Sequence, residues 1–185
     1  MRMGTTCICY IEMMTPSGRA YCMGSLHLQK DYHLFAALAG VRNGTWGMRV
    51  KPISSPRGLP NDASEEVKRA GTEYEGVYYG HSWISLQELL GFDWDQVVPH
   101  EAVIDMTEPG VREWLEKGDR SKAPPSYSHY VTAQGGLLAG RYREVAWTQI
   151  LRTDLKNFLE GVLPYLEYIA MWNPQDVRIV FWLKD

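Results

Sequence analysis

Two short clusters carry the residues best suited to chemistry. The first runs through Val41-Arg42-Asn43-Gly44 and Ser54-Ser55-Pro56-Arg57-Gly58-Leu59-Pro60. On loops braced by Gly and Pro, Arg42 and Arg57 can present planar donor forks that match phosphate or carboxylate, and Asn43 adds a donor and an acceptor. The plainer alternative gives Arg42 to the carbonyls of a helix end and Arg57 to its own loop. The second cluster is Tyr78-Tyr79-Gly80-His81-Ser82-Trp83, with Asp93 soon after it. A His beside Ser and within reach of a carboxylate can act as general acid or base near neutral pH. It can equally read a ligand edge as a neutral donor and acceptor, or brace backbone. Tyr79 and Trp83 offer flat surfaces on which a base can stack.

Other chemistries lack their motifs. His27, His33, His81, His100 and His129 are scattered without the i, i+4 spacing of a helical metal site, so no metal is expected. Neither Gly-x-Gly-x-x-Gly nor the Walker pattern occurs, and Gly-x-Ser-x-Gly is missing, so no dinucleotide or other cofactor is expected. The three cysteines, Cys7, Cys9 and Cys22, are an odd set near the start, which fits a reducing cytoplasm.

A net charge of -3 leaves no global basic field, so long nucleic acid is not an expected partner, whereas a small anionic ligand needs only a few Arg. No apolar run approaches the ~18 residues of a membrane span, and no secretory signal opens the chain. A cytoplasmic protein without a membrane partner is expected. Seven Trp and eleven Tyr serve first as core, then as stacking surface.

These side chains need a scaffold. Residues 4 to 14 are rich in β-formers and lead through Thr15-Pro16-Ser17-Gly18 to Arg19–Leu26, an opening hairpin. Asp31 caps a short helix that Gly40 ends. Asn61 or Asp62 begins a second helix closed by Gly71, and Ser85 with Glu88 forms a capping box for a third. Strands are expected near Ala102–Met106 and Glu144–Leu151, a helical turn at Val111–Lys117, and irregular chain over Lys122–Tyr130. A long helix from Thr153 or Asp154 should kink at Pro164. The apolar run Val177–Leu183 reads as a strand buried on both faces. The expected fold is one α+β domain over residues 1–185, an antiparallel or mixed sheet with helices mainly on one face and a family-specific insertion at 94–140.

Gly4-Thr5, Asp31-Tyr32-x-Leu34-Phe35-x-x-Leu38-Ala39-Gly40-Val41-Arg42-Asn43, Pro52-Ile53-Ser54-x-Pro56-Arg57-Gly58-Leu59-Pro60, His81-Ser82, Leu86-x-Glu88-Leu89-Leu90 and Asp176–Trp182 together cover about half the chain. This set resembles a family of small bacteriophage and bacterial proteins. Members of that family open with Asp and His where this chain has Thr6 and Ile8, so any role of those two groups is lost here. The resemblance implies a counter-defence setting. With the residues above, it gives the leading expectation: a homo-oligomer that sequesters a small phosphate-bearing nucleotide, for example a cyclic nucleotide or an ADP-ribose-type signal. Arg42 and Arg57 would hold phosphate, Asn43, His81 and Ser82 would meet polar edges, and Tyr79 or Trp83 would stack. The alternatives are a phosphodiesterase or other hydrolase using His81 and Asp93, and an inhibitor that binds a host protein through residues 94–130.

Overall fold

In the computed structural model, which describes residues 5–28, 30–73, 76–128, 141–171 and 173–185, the chain runs β1 (Thr6–Met14), β2 (Ala20–His27), α1 (Tyr32–Ala39), α2 (Glu65–Thr72), β3 (Tyr78–Ser85), α3 (Leu86–Gly91), β4 (Val97–Asp105), α4 (Val111–Lys117), β5 (Tyr142–Ile150), α5 (Leu151–Asp154), α6 (Leu163–Ala170) and β6 (Val177–Lys184). Gly4, His129, Tyr130 and the end of the expected 94–140 insertion lie outside the described residues. The strands pair antiparallel in two sheets, so the α+β reading holds. No helix among the described residues is long and apolar enough to cross a membrane.

Two compact units form. The first comprises Met1–Asn43, Val50–Asp93 and Leu155–Asp185, and the second Gly44–Arg49 and Trp94–Asp154. The first holds the four-stranded sheet, ordered β2-β1-β6-β3. The hairpin closes as expected, with the Gly18 N–H donating to Thr15 O at 2.8 Å and Gly18 at a φ of 76°. β6, one of the two interior strands, is buried from Val177 to Leu183. Cys7, Cys9 and Ile11 of β1 pair with Leu183, Phe181 and Ile179, and this face is all core. Burial pushes the Cys7 thiol up to about 12, away from the range of a reactive thiolate.

The other face is mixed. Ile8, Tyr10, Val180 and Trp182 pack beneath Ala63 and Val67 of the α2 segment. Beside them Arg178, opposite Glu12, donates from Nε to Glu12 Oε2 and from Nη1 to Asp62 Oδ1, both at 2.9 Å. Glu12 Oε1 in turn accepts the Ser64 N–H and hydroxyl at 2.8 Å. That network moves the start of α2. Ser64, not Asn61 or Asp62, is the N-cap, accepting from the Val67 N–H, while Asp62 serves Arg178. Gly71 does not close the helix, which runs on to Thr72; it lies where an added Cβ would meet Leu59 Cδ1 at 2.8 Å.

The other caps follow their local code. Asp31 accepts from the N–H groups of His33 and Leu34, Gly40 ends α1 at a φ of 68°, and Ser85 and Glu88 complete their box. The long helix forms with interruptions: after a turn at Leu155 the backbone is helical over residues 156–170 but not uniformly α-helical. α5 is one turn, and a π-helical turn over Phe158–Val162 leads straight into α6, whose second residue is Pro164, so the regular α-helical ladder is interrupted just before the proline.

In the second unit β4 pairs with β5 from Val97↔Ile150 to Asp105↔Tyr142, so the strand expected at Ala102–Met106 begins five residues earlier. One face of β4 carries buried Val98, His100, Ala102 and Ile104. His100 stacks on Trp147 at 5.1 Å and an interplanar angle of 9°.

Candidate functional site

The structure divides the expected site among separate places in the first unit. His81 lines a cleft of about 340 Å³ with Gly58, Leu59, Gly71, Thr72, Gly76 and Tyr78. Its geometry starts from an irregularity in β3. Tyr79 pairs with Leu183 but Ser82 with Phe181, so two residues of β3, Gly80 and His81, face one of β6, Trp182. Gly80, at a φ of 65°, takes the left-handed conformation this bulge requires. In a regular strand residues 78 and 81 would point to opposite faces; the extra residue puts both on one face. Both rings then meet Trp182, Tyr78 at a centroid distance of 6.0 Å and His81 stacked at 5.6 Å.

His81 Nε2 lies 2.9 Å from Gly71 O in the last turn of α2. A carbonyl only accepts, so Nε2 carries the proton and Nδ1 of the neutral ring is an acceptor. Below the two rings, the Trp182 indole N–H is fully buried and has no hydrogen-bond partner among the described residues. Lys184, paired with Tyr78 across β3 and β6, stands on the same face.

Arg42 and Tyr79 do come together, on the opposite face of the sheet from Tyr78. Arg42 takes a left-handed backbone, φ 60°, just after the αL cap of α1. Its Nη2 lies 2.6 Å from Asp185 Oδ1, and the Tyr79 hydroxyl donates to the same oxygen at 2.8 Å. Thr5, Tyr79 and Arg42 hold the Asp185 carboxyl below its usual range.

Arg57 and Trp83 form a third group. The Arg57 fork is bidentate on Glu88, Nη2 to Oε1 at 2.6 Å and Nη1 to Oε2 at 3.1 Å, and lies 4.9 Å from the Trp83 ring centroid. Ser82 is buried and accepts the Arg57 N–H at 3.2 Å. Asn43 makes two bonds to the Val50 backbone, at 2.7 and 3.0 Å, and so braces its loop. Asp93 is exposed beyond α3.

The Arg57 pair sets a pH dependence. Arg57 first, then the Ser85 N–H and hydroxyl, hold the Glu88 carboxyl down at about 2, against an ordinary 4.5. A depressed folded value means that this contribution is complete above 4.5 and is lost as pH falls from 4.5 toward 2. Urea titrations across that window should therefore show a steeper acid loss in the native chain than in Arg57→Ala.

Sequence reasoning missed Tyr78, Thr5, Asp185 and the glycine wall of the cleft. Tyr78 was in the motif, and the signal that selects it is Gly80, a bulge residue inside an aromatic strand. The second unit adds a buried His100 whose Nε2 lies 3.3 Å from Asp154 Oδ2, 54 positions away and invisible as spacing.

Fold and cleft define an α+β protein with an antiparallel sheet whose edge strand offers a small aromatic, imidazole-bearing recess. Compared with known proteins, the chain matches no family model, no curated sequence and no solved structure. The functional reading therefore rests on the site itself and on the motifs.

Proposed function

We propose that this protein binds a small phosphate-bearing nucleotide and sequesters it without turnover, in the counter-defence setting that its resemblance to small bacteriophage proteins implies. The observation that carries the reading is the cleft between β3 and the end of α2. Its wall is a tyrosine ring, an imidazole and glycine backbone, a surface that takes a planar heterocycle, and its volume suits one base. His81 is fixed through Nε2, which leaves Nδ1 as an acceptor for a ring N–H or amino group. Lys184 adds a cation on the same face for the phosphate. Arg57 enters only if phosphate displaces Glu88 from its fork.

What supports sequestration over hydrolysis is that the hydrogen bond at His81 goes to the Gly71 carbonyl and not to the carboxylate of the expected acid–base pair; Nδ1 can still serve as a base, so recovery of the ligand intact decides between the two. Acid–base work through Nε2 would have to break that bond.

Thr72→Trp tests the cleft directly. Thr72 is exposed at the last position of α2, so a large ring there fills the recess while the core is untouched. Calorimetry with a ligand that the native chain binds should show at least a tenfold loss, about 1.4 kcal/mol. Unchanged affinity in a folded Thr72→Trp protein removes the cleft from the site.

A further inference from the structure

Three donors in the first unit converge on one oxygen. Asp185 Oδ1 accepts from Thr5 Oγ1 at 2.7 Å, from Arg42 Nη2 at 2.6 Å and from Tyr79 Oη at 2.8 Å. The donors also hold one another. Arg42 Nε donates to Thr5 Oγ1 at 2.9 Å, so that hydroxyl spends its own proton on Asp185. Thr5 is fully buried, and its N–H reaches the Tyr32 hydroxyl at 3.4 Å.

A simple surface salt bridge needs one cation, contributes little, and places no requirement on its neighbours. Here a guanidinium, a phenol and a buried hydroxyl surround a single oxygen, which is the donor set of an oxyanion site. The residue that carries this oxygen is the most exposed of the four. Asp185 follows the last residue of β6, and its side chain is 54% exposed, whereas Thr5 is held in the core.

We propose that Thr5, Arg42 and Tyr79 form an anion-recognition site, that the chain's own Asp185 carboxylate occupies it, and that the phosphate or carboxylate group of a small ligand binds there by displacing Asp185. This site stands apart from the cleft, because Tyr79 and Tyr78 point to opposite faces of the sheet, and so it does not depend on the nucleotide reading. A tethered carboxylate competes at an effective concentration on the order of millimolar, so the native chain binds free oxyanions weakly and selects for ligands with further contacts. Asp185 is thereby both occupant and gate.

The test titrates inorganic phosphate and, separately, acetate into the full chain and its variants by calorimetry. Asp185→Ala should bind at least one of the two at least tenfold more tightly than the native chain, and Arg42→Ala added to it should abolish the gain. A gain for phosphate alone assigns a phosphate ester, and a gain for both assigns any small oxyanion. Thr72→Trp, which blocks the cleft, should leave these affinities unchanged, so failure of the cleft reading and failure of this one are separable. Asp185→Asn removes the charge with the shape kept and replaces Asp185→Ala if that variant does not fold. No gain for either anion on removing the Asp185 charge, or a gain that survives Arg42→Ala, overturns the proposal.

Discussion

Arg178→Ala is expected to destabilise the protein by about 3–5 kcal/mol, read as a fall in the urea midpoint with little change in slope. Arg178 is 6% exposed and Glu12 is 0% exposed, and the two share Nε and Nη2 contacts of 2.9 and 2.8 Å on Glu12 Oε2. Removing the guanidinium leaves a carboxylate sealed between the sheet and the α2 segment, still bonded to Ser64 but without its cation. Asp62, half exposed, loses little because water replaces its partner. The double variant Glu12→Gln with Arg178→Met should cost less than Arg178→Ala alone, since no buried charge is then left unpaired. A loss below about 1 kcal/mol for Arg178→Ala would mean that water reaches Glu12.

Trp182→Ala is expected to cost a similar amount, about 3–5 kcal/mol, through the cavity it opens. Trp182 is fully buried in β6 and supports three rings: Tyr10 stacked at 5.5 Å, Tyr78 and His81. Because two of these are walls of the cleft, the cavity should also abolish ligand binding. Trp182→Phe separates the effects, since it keeps most of the ring support and deletes the unpartnered N–H. Thermal melts of the two variants should rank alanine well below phenylalanine. Equal melts would show that the site collapses onto the cavity.

What the sequence disclosed was mostly local. Caps at Asp31, Gly40 and Ser85 depend on atoms a few residues apart, so residue type suffices to find them. Val177–Leu183 was legible as a doubly buried strand because six of its seven residues are apolar, and the one charge in it, Arg178, is itself the sign of a buried partner. β4 was read short because Pro99, His100 and Glu101 interrupt an alternation that becomes plain only once β5 is beside it. The helix after Thr153 is less regular than its pattern. Its three- and four-residue periodicity is real, yet it spans a π-helical turn and a proline that reset the phase.

The site was legible in its residue types and not in their grouping. Arg42 finds its carboxylate 143 residues away and Arg57 finds its own 31 away, separations that no motif encodes. Adjacent Tyr78 and Tyr79 belong to opposite faces, which strand alternation dictates, but placing His81 with Tyr78 needed the bulge at Gly80. The two arginines expected to share one phosphate therefore sit with different partners.

The cleft beside His81 is expected to hold a small nucleotide intact. The most direct test is a thermal-shift screen of the purified chain against cyclic dinucleotides, cyclic ADP-ribose isomers, NAD and simple nucleotides, followed by chromatography of what heat releases. A rise of several degrees is expected for at least one compound, since a ligand bound only to the native state stabilises it by mass action, with that compound recovered unchanged. Recovery of a converted product, or no rise with any nucleotide, would contradict it.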